Sequence, residues 1–175
     1  MVRFRVLPDR SKVWIHARSS LHPIDSSTDG LEGTLDLELQ GGGRVNLSVA
    51  PAAHLEFPVE NLSSGNRLED RELKRRIDSR RYPTIEGDLT AMKDTDTDGR
   101  YLVRGDLTFK GVTRSYEDQM TLAVEDDKTI RLEGESTFDI RDFGMEPPKI
   151  LMLKVEPEVR VRVVIVAEQE GVSDA

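Results

Sequence analysis

Apolar and polar residues alternate along most of this chain, so that every second position in a run is hydrophobic. The runs begin near Val13, Leu31, Val45, Ile85, Tyr101, Met120, Ile130 and Val159. A period of two is typical of strands with one buried face and one solvated face. The pattern predicts about eight to nine strands at hairpin spacing, without a strand–helix–strand rhythm, and favours an up-and-down barrel or a sandwich.

Turn residues separate several of these runs where antiparallel hairpins need them. Three glycines at 41–43 lie between two runs, Asp98 and Gly99 separate a second pair, and residues 125–128 separate a third. Glycine adopts the positive φ angles that tight hairpins require. The turns therefore predict antiparallel pairing of neighbouring strands.

One segment, residues 63–77, departs from the alternation and is rich in helix formers. Its acidic residues come early and its basic residues late, an order that suits the helix dipole. Its apolar residues are Leu68, Leu73 and Ile77. We expect one short surface helix that contacts the rest of the protein along a narrow stripe of these three side chains.

The stretch from 67 to 81 is locally basic, with seven Lys and Arg against four Asp and Glu. Guanidinium groups pair bidentately with phosphate or carboxylate oxygens, so an anion site is one interpretation. A solvated helix face with pairs of opposite charge is the other. We favour the second, because mixed charge on an exposed helix is ordinary.

With 175 residues, the chain has the length of one domain, and we predict a single domain over residues 1–175 with a flexible tail at 168–175. It has no cysteine, which excludes disulfides, thiol catalysis and cysteine-ligated metals. Its net charge of −8 argues against nucleic acid as a partner. The sequence shows neither an apolar run long enough to span a membrane nor a secretory signal, so we expect a cytoplasmic location.

The residues that most often carry catalysis or metal binding do not form a recognisable set. His16, His22 and His54 are the three histidines, and no nucleophile motif or metal-ligand spacing accompanies them. Residues 94–99 match the first half of a calcium loop, but Gly105 stands where that loop needs a bidentate glutamate. We therefore predict no enzyme activity, no metal site and no cofactor, and an enzyme built on His16 or His54 is the least favoured alternative.

Four stretches, taken together, resemble one known protein family. They are residues 8–13 (PDRSKV), residues 64–85 with SGN, Arg71, Leu73 and RYPTI, residues 105–114 (GDLTFKGVTR), and residues 140–145 (IRDFGM). Their order and spacing extend the resemblance from about Val6 to Ala167. The chain resembles the YceI-like family of polyisoprenoid-binding, lipocalin-like barrels.

This resemblance implies a lipocalin-like antiparallel β-barrel that is open at one end and encloses an elongated apolar cavity. It also implies binding of a long isoprenoid or fatty-acyl chain without catalysis, and a homodimer. The fold class that we predict is all-β, with a barrel of about eight strands and one short surface helix.

Aliphatic residues of the alternating runs are predicted to line the cavity, because aromatic residues are only 5% of the chain and aliphatic walls suit a flexible hydrocarbon. The predicted lining residues are Val13, Ile15, Leu35, Leu37, Val45, Leu47, Leu89, Val103, Leu107, Met120, Leu122, Leu132, Phe138, Val161 and Val163. The candidates for contact with a ligand head group are Arg71, Tyr82 and His16. The Tyr82 hydroxyl can donate a hydrogen bond while its ring lines the mouth.

Alternation shows that one face of each strand is buried, but either a ligand or side chains can fill a barrel of this size. The leading hypothesis is a carrier or storage protein for an isoprenoid or fatty-acyl lipid. The alternative is a closed barrel that binds other proteins through its surface, with the apolar run at residues 150–153 and the acidic exterior as the contact.

Overall fold

The computed structural model describes residues 1–147, 149–150 and 152–171, and within them the chain forms eleven strands and one α-helix. The strands are β1 (Val2–Val6), β2 (Lys12–Ser19), β3 (Pro23–Thr28), β4 (Glu32–Leu37), β5 (Ala52–Pro58), β6 (Thr84–Asp94), β7 (Arg100–Phe109), β8 (Val112–Val124), β9 (Thr129–Asp139), β10 (Lys149–Ile150) and β11 (Leu153–Gln169). The helix, α1 (Arg67–Ile77), lies between β5 and β6. Short 3-10 helices occupy Pro8–Arg10, Val59–Asn61 and Ile140–Phe143.

Eight of the strands close into an antiparallel barrel. Their order around it is β1, β4, β5, β6, β7, β8, β9 and β11, and β11 pairs again with β1. The 17 residues of β11 make this closure, since they pair with β9 along one edge and with β2 and then β1 along the other. β2 and β3 extend the sheet beyond the closed ring. The all-β barrel of about eight strands with one short helix is thus confirmed.

The alternation along β11 shows how the sequence builds the barrel wall. Val161, Val163 and Ile165 line the interior space. Arg160 and Arg162, between them, are largely exposed and form ion pairs with glutamates of β9. One face of the strand therefore packs inward and the other carries charge into solvent, as the period of two predicts.

One end of the barrel is filled by side chains, and α1 covers the other. At the filled end Tyr101 is 1% exposed, and its hydroxyl accepts a hydrogen bond from the backbone N–H of Val45 at 2.9 Å. At the opposite end, α1 places Leu73 and Ile77 against the interior. The interior space therefore begins beneath α1 and ends near Tyr101. Within the described residues, no helix is both long and apolar enough to cross a bilayer.

The run at residues 45–49 is not a strand, contrary to the prediction. Val45 makes a single antiparallel bridge with Leu39 across the glycine turn, and the segment then continues as turns. The Val45 N–H bonds to the Tyr101 hydroxyl rather than to a neighbouring strand. The alternation at residues 45–49 therefore arises because some of these side chains are buried at the filled end of the barrel, and the segment is not a strand of the sheet.

The pattern did not predict β1, β5, β3 or the end of β11, and the last two differ most from what alternation leads one to expect. β3 is a polar segment that pairs with the outer edge of β2, and Ser26 and Thr28 within it are buried. β11 continues through Glu168 and Gln169, which the sequence assigned to the tail. Backbone hydrogen bonds to neighbouring strands stabilise both segments, and the pattern of hydrophobic residues does not predict such bonds.

Candidate ligand cavity

Two adjoining compartments occupy the barrel interior. The upper compartment, beneath α1, has a volume of about 270 Å³, and the lower compartment, toward Tyr101, has about 250 Å³. The wall residues that they share form a ring that we call the waist: Leu55, Gly87, Leu107, Phe138, Val161 and Val163. Taken together the compartments reach the size of small-molecule sites, roughly 300–1,000 Å³.

Aliphatic side chains make up most of the cavity wall. The upper compartment is lined by Val13, Ile15, Leu31, Ile77, Ile85 and Val159, among others, and the lower by Leu35, Leu37, Leu89, Met92, Val103 and Met120. At the waist, a Cβ atom added to Gly87 would meet no atom within 4 Å. Open space therefore lies directly in front of Gly87, where the two compartments join.

α1 brings a polar side chain to the upper compartment. The helix begins after Asn66, whose side-chain oxygen accepts the backbone N–H of Leu68 at 3.0 Å and of Glu69 at 3.4 Å. Residues spaced four apart share a helix face, so Glu69, Leu73 and Ile77 turn inward together. Glu69 is only 8% exposed and lines the upper compartment. Leu68, predicted to belong to the contact stripe, is instead 52% exposed.

The other polar residues around the upper compartment add negative rather than positive charge. Asp70 accepts hydrogen bonds from the Ser64 backbone N–H at 2.8 Å and from its hydroxyl at 2.7 Å. Glu86 borders the compartment from β6, but its carboxylate lies on the outer face, where it accepts a hydrogen bond from the Thr84 hydroxyl at 3.1 Å and acts on His54. In the part of the chain that the structure describes, no lysine, arginine or histidine lines either compartment.

The barrel wall is incomplete between β8 and β9. Their ladder pairs residues 120–124 with residues 130–134, although the two strands span 13 and 11 residues. Asp118, Gln119 and Glu135 line the lower compartment and are also exposed to solvent. We call this gap the side opening, because it joins the lower compartment to the surface.

Aromatic side chains occupy the side opening. The rings of Tyr116 and Phe138 meet edge to face, with centroids 4.6 Å apart, and Phe143 stacks on Tyr116 at 6.0 Å. The Tyr116 hydroxyl donates a hydrogen bond to Asp142 at 3.3 Å. Burial, and then the negative charge of Asp142, raise the pKa of Tyr116 above its usual value, which keeps this hydroxyl a donor at neutral pH.

The structure places twelve of the fifteen predicted lining residues at the cavity wall. Val45, Leu47 and Leu122 lie elsewhere, among the side chains that fill the barrel end around Tyr101. Leu122 follows the inward register of β8, whereas Val45 and Leu47 lie outside the strands, and all three pack into the hydrophobic core. That the wall residues contact a ligand stays a prediction.

The three candidates for a head-group contact do not lie at the cavity wall. Arg71 is exposed on α1. Tyr82 packs beneath the guanidinium of Arg81, 5.3 Å from the ring centroid. His16 lies on the outer face of β2, where its Nδ1 forms a hydrogen bond with Asp25. The structure thus separates all three from the interior.

Sequence reasoning missed the residues that give the cavity its polarity and its openings. Glu69 carries a weak signal, since it lies four residues before Leu73 and eight before Ile77. Gly87 carries another, because it is a glycine between two inward-facing positions of a strand. The separation of β8 from β9 beyond Met120 carries a further weak signal, because Arg114 and Asp118 interrupt the apolar register of β8.

His16 and His54 each form a hydrogen bond with an aspartate on the outer surface. Within the described residues, no three His, Cys, Asp or Glu side chains converge closely enough to hold a metal ion. His54 Nδ1 lies 2.7 Å from Asp88 Oδ1 on the outer surface. This hydrogen bond raises the pKa of His54 above its ordinary value, against a smaller opposing effect of burial.

The run at residues 150–153, predicted as a partner surface in the alternative hypothesis, is described only in part. Leu151 and the side chain of Ile150 lie outside the described residues. Met152 is 99% exposed, whereas Leu153 is buried. The run is therefore not uniformly a surface.

A family model described as a YceI-like domain matches residues 4–167 of the chain. The chain belongs to the YceI-like family. The match extends from β1 into the C-terminal part of β11, so it includes every strand of the closed barrel of this YceI-like domain. No sequence among the curated proteins compared matches it.

Solved structures share the fold of this YceI-like domain. BcnA of Burkholderia cenocepacia superimposes with a TM-score of 0.77 at 17% identity, over 92% of this chain and 98% of BcnA. A polyisoprenoid binding domain from Saccharophagus degradans gives 0.78 at 13% identity, over 97% and 100%. The YceI protein of Campylobacter jejuni gives 0.68 at 11% identity, over 85% and 86%. At these identities the likeness establishes the fold alone.

Proposed function

We propose that this YceI-like domain binds one long apolar molecule, a polyisoprenoid or fatty-acyl lipid, inside the barrel, and carries or stores it without catalysing a reaction. The observation that carries the proposal is the apolar space that runs from beneath α1, through the waist, toward Tyr101. The Saccharophagus degradans domain is described as polyisoprenoid-binding, which supports the same class of ligand.

The wall chemistry favours a hydrocarbon chain over a compact polar ligand. Each methylene that leaves water contributes about 0.8 kcal/mol, so a long chain binds tightly with few polar contacts. Val161, Val163 and Leu107 belong to the waist, where the two compartments adjoin. A flexible chain can extend through both compartments, whereas a compact ligand occupies one of them.

The side opening gives such a chain a route into the barrel. Beyond residues 120–124 of β8, no backbone ladder joins this strand to β9 in the described structure. Tyr116 and Phe138 can therefore move apart without breaking hydrogen bonds between the two strands. Entry under α1 would instead require displacement of buried Ile77.

Native mass spectrometry of the purified protein, followed by organic extraction, tests the proposal. A stoichiometric prenyl or acyl compound in the extract is the expected result, and its mass identifies the cargo. If the protein is isolated empty, it is offered geranylgeraniol and palmitic acid, and uptake of either supports the proposal. An empty protein that takes up neither probe would overturn it and turn attention to the alternative, a barrel that acts through its surface.

A further inference from the structure

Glu69 is a buried acidic residue that borders an apolar cavity. It is 8% exposed, lines the upper compartment, and lies on the same helix face as Leu73 and Ile77. Among the described residues, its carboxylate takes part in no recorded hydrogen bond or ion pair, while its backbone N–H bonds to the side chain of Asn66. Asp70, its neighbour in sequence, is satisfied by Ser64.

An unpaired buried carboxylate is unfavourable, because burial removes water without supplying another donor. No described residue supplies a hydrogen-bond donor to the Glu69 carboxylate. A ligand whose head group donates a hydrogen bond would therefore find a strong acceptor there. Hydrogen bonds to a charged group are stronger than neutral ones. The end of a ligand that reaches the upper compartment therefore meets an acceptor and not a donor.

The same geometry disfavours an anion at this position. Asp70 lines the upper compartment beside Glu69, and no cationic side chain of the described chain lines it. A phosphate or carboxylate head group would be placed among like charges in a medium that screens them poorly. It would also leave the acceptor of Glu69 unsatisfied.

We propose that Glu69 selects apolar ligands whose uncharged head group donates a hydrogen bond, as the hydroxyl of a long-chain alcohol does, and rejects those with an anionic head group. This inference rests on the proposed binding of a long apolar molecule and narrows it to one chemical class. It predicts a head group located beneath α1, with the hydrocarbon passing through the waist at Gly87.

Three probes that share the same prenyl chain separate the effect of a hydrogen-bond donor from the effect of negative charge. They are geranylgeraniol, its methyl ether and its diphosphate. Their dissociation constants are measured by displacement of a fluorescent fatty alcohol from the full-length protein. We expect the alcohol to bind about tenfold more tightly than the ether, which accepts but cannot donate a hydrogen bond. The diphosphate should bind more weakly still.

The variant Glu69→Leu should bind the alcohol and the ether with equal dissociation constants. The variant Glu69→Gln should reduce the difference in dissociation constant between the alcohol and the diphosphate, because it removes the negative charge. Glu117→Gln is the matched control, since Glu117 is exposed on the outer face of β8 and should change none of the ratios. Circular dichroism and a melting curve establish that each variant folds. If Glu69→Leu does not fold, Glu69→Gln still decides the question.

Equal binding of all three probes to the wild type, or an alcohol-to-diphosphate ratio that Glu69→Gln leaves unchanged, would overturn the selection by Glu69 and leave the lipid-binding proposal standing. Failure of every probe to bind the wild type would instead overturn the proposed function, and this inference with it.

Discussion

The ring of Tyr116 stands edge-on to the ring of Phe138, with centroids 4.6 Å apart. If the β8–β9 ladder continued in register, these two residues would lie directly opposite each other. The ladder instead stops at Met120 and Gly134, so side chains rather than backbone hydrogen bonds hold the strands together at this level. This aromatic contact narrows the side opening.

Replacing Tyr116 by alanine should open this route. The loss of a half-buried aromatic ring should lower the free energy of unfolding by about 2 kcal/mol, less than for a fully buried one. Release of a bound fluorescent prenyl probe, followed by stopped-flow after addition of excess unlabelled alcohol, should become several-fold faster.

Tyr116→Phe is the matched control, because it keeps the ring and removes only the hydroxyl that bonds to Asp142. Tyr116→Phe should lower the free energy of unfolding by about 1 kcal/mol or less and leave the rate of probe release unchanged. A release rate that is the same in wild type and Tyr116→Ala would show that the ligand leaves by another route.

A side chain placed at Gly87 should block the waist. Because a Cβ at this position meets no atom within 4 Å and the backbone φ is ordinary for a strand, Gly87→Leu should fold with unchanged or slightly increased stability. The leucine would occupy the space that joins the two compartments. Uptake of long prenyl probes should fall at least tenfold, measured by fluorescence displacement.

Gly41→Leu provides the comparison for that experiment. A Cβ added to Gly41 would also meet no atom within 4 Å, and its φ is ordinary, but this residue lies in an exposed turn away from the cavity wall. The Gly41→Leu variant should bind probes as the wild type does. Binding of long prenyl probes at wild-type strength by a folded Gly87→Leu variant would contradict passage through the waist.

The barrel was predictable because alternation reports directly which face of a strand is buried. Val161 and Val163 illustrate this, since their inward orientation follows from a period of two. Val45 shows the limit: its run alternates equally well, but its N–H bonds to the Tyr101 side chain rather than to a strand edge. Strand pairing depends on distant partners, which a local pattern does not contain.

The polar part of the site was harder to predict for a related reason. Three apolar residues of α1 do not determine the rotation of the helix, and Leu68 is five residues from Leu73, well off its face. The cap at Asn66 and the packing of Ile77 determine the rotation and bring Glu69 inward. An anion site was the less favoured interpretation of the locally basic segment, and within the described residues no lysine or arginine lines the cavity.

The N-cap of α1 should contribute measurably to stability. Asn66 accepts two backbone N–H groups that the helix itself leaves unsatisfied, so Asn66→Ala should lower the free energy of unfolding in urea by about 1 kcal/mol. Asn66→Asp retains an acceptor at the same place and should stay within a few tenths of a kcal/mol of the wild type. Equal losses in both variants would show that the cap bond is not the cause.

The pair formed by His54 and Asp88 should be visible in a pH titration. The hydrogen bond to Asp88, with smaller contributions from the charges of Glu56 and Glu86, raises the pKa of His54 in the folded state. The resulting stabilisation is complete below the ordinary histidine pKa near 6.5 and is lost as pH rises through the raised value. Because both side chains are about half exposed, it should remain below about 1 kcal/mol.

NMR titration of the His54 ring protons tests this directly. Asp88→Asn should lower the pKa of His54, while Asp25→Asn, in the separate pair with His16, should leave it unchanged. If the pKa of His54 is the same in the wild type and in Asp88→Asn, the hydrogen bond to Asp88 is not the cause of the raised pKa.

Glu72 should make the stability of the helix sensitive to acid. Hydrogen bonds from Arg75 and then Arg76 lower the pKa of Glu72 from 4.5 to about 2. A depressed carboxyl pKa stabilises the folded state above the unfolded value of about 4.5, and that stabilisation is lost as pH falls from there toward 2. In urea unfolding, wild type should exceed Glu72→Gln near neutral pH, and the difference should shrink through this interval. Glu117→Gln corrects for the general effect of removing a carboxylate. If the difference in free energy of unfolding between wild type and Glu72→Gln does not depend on pH, then packing rather than charge explains the contribution of Glu72.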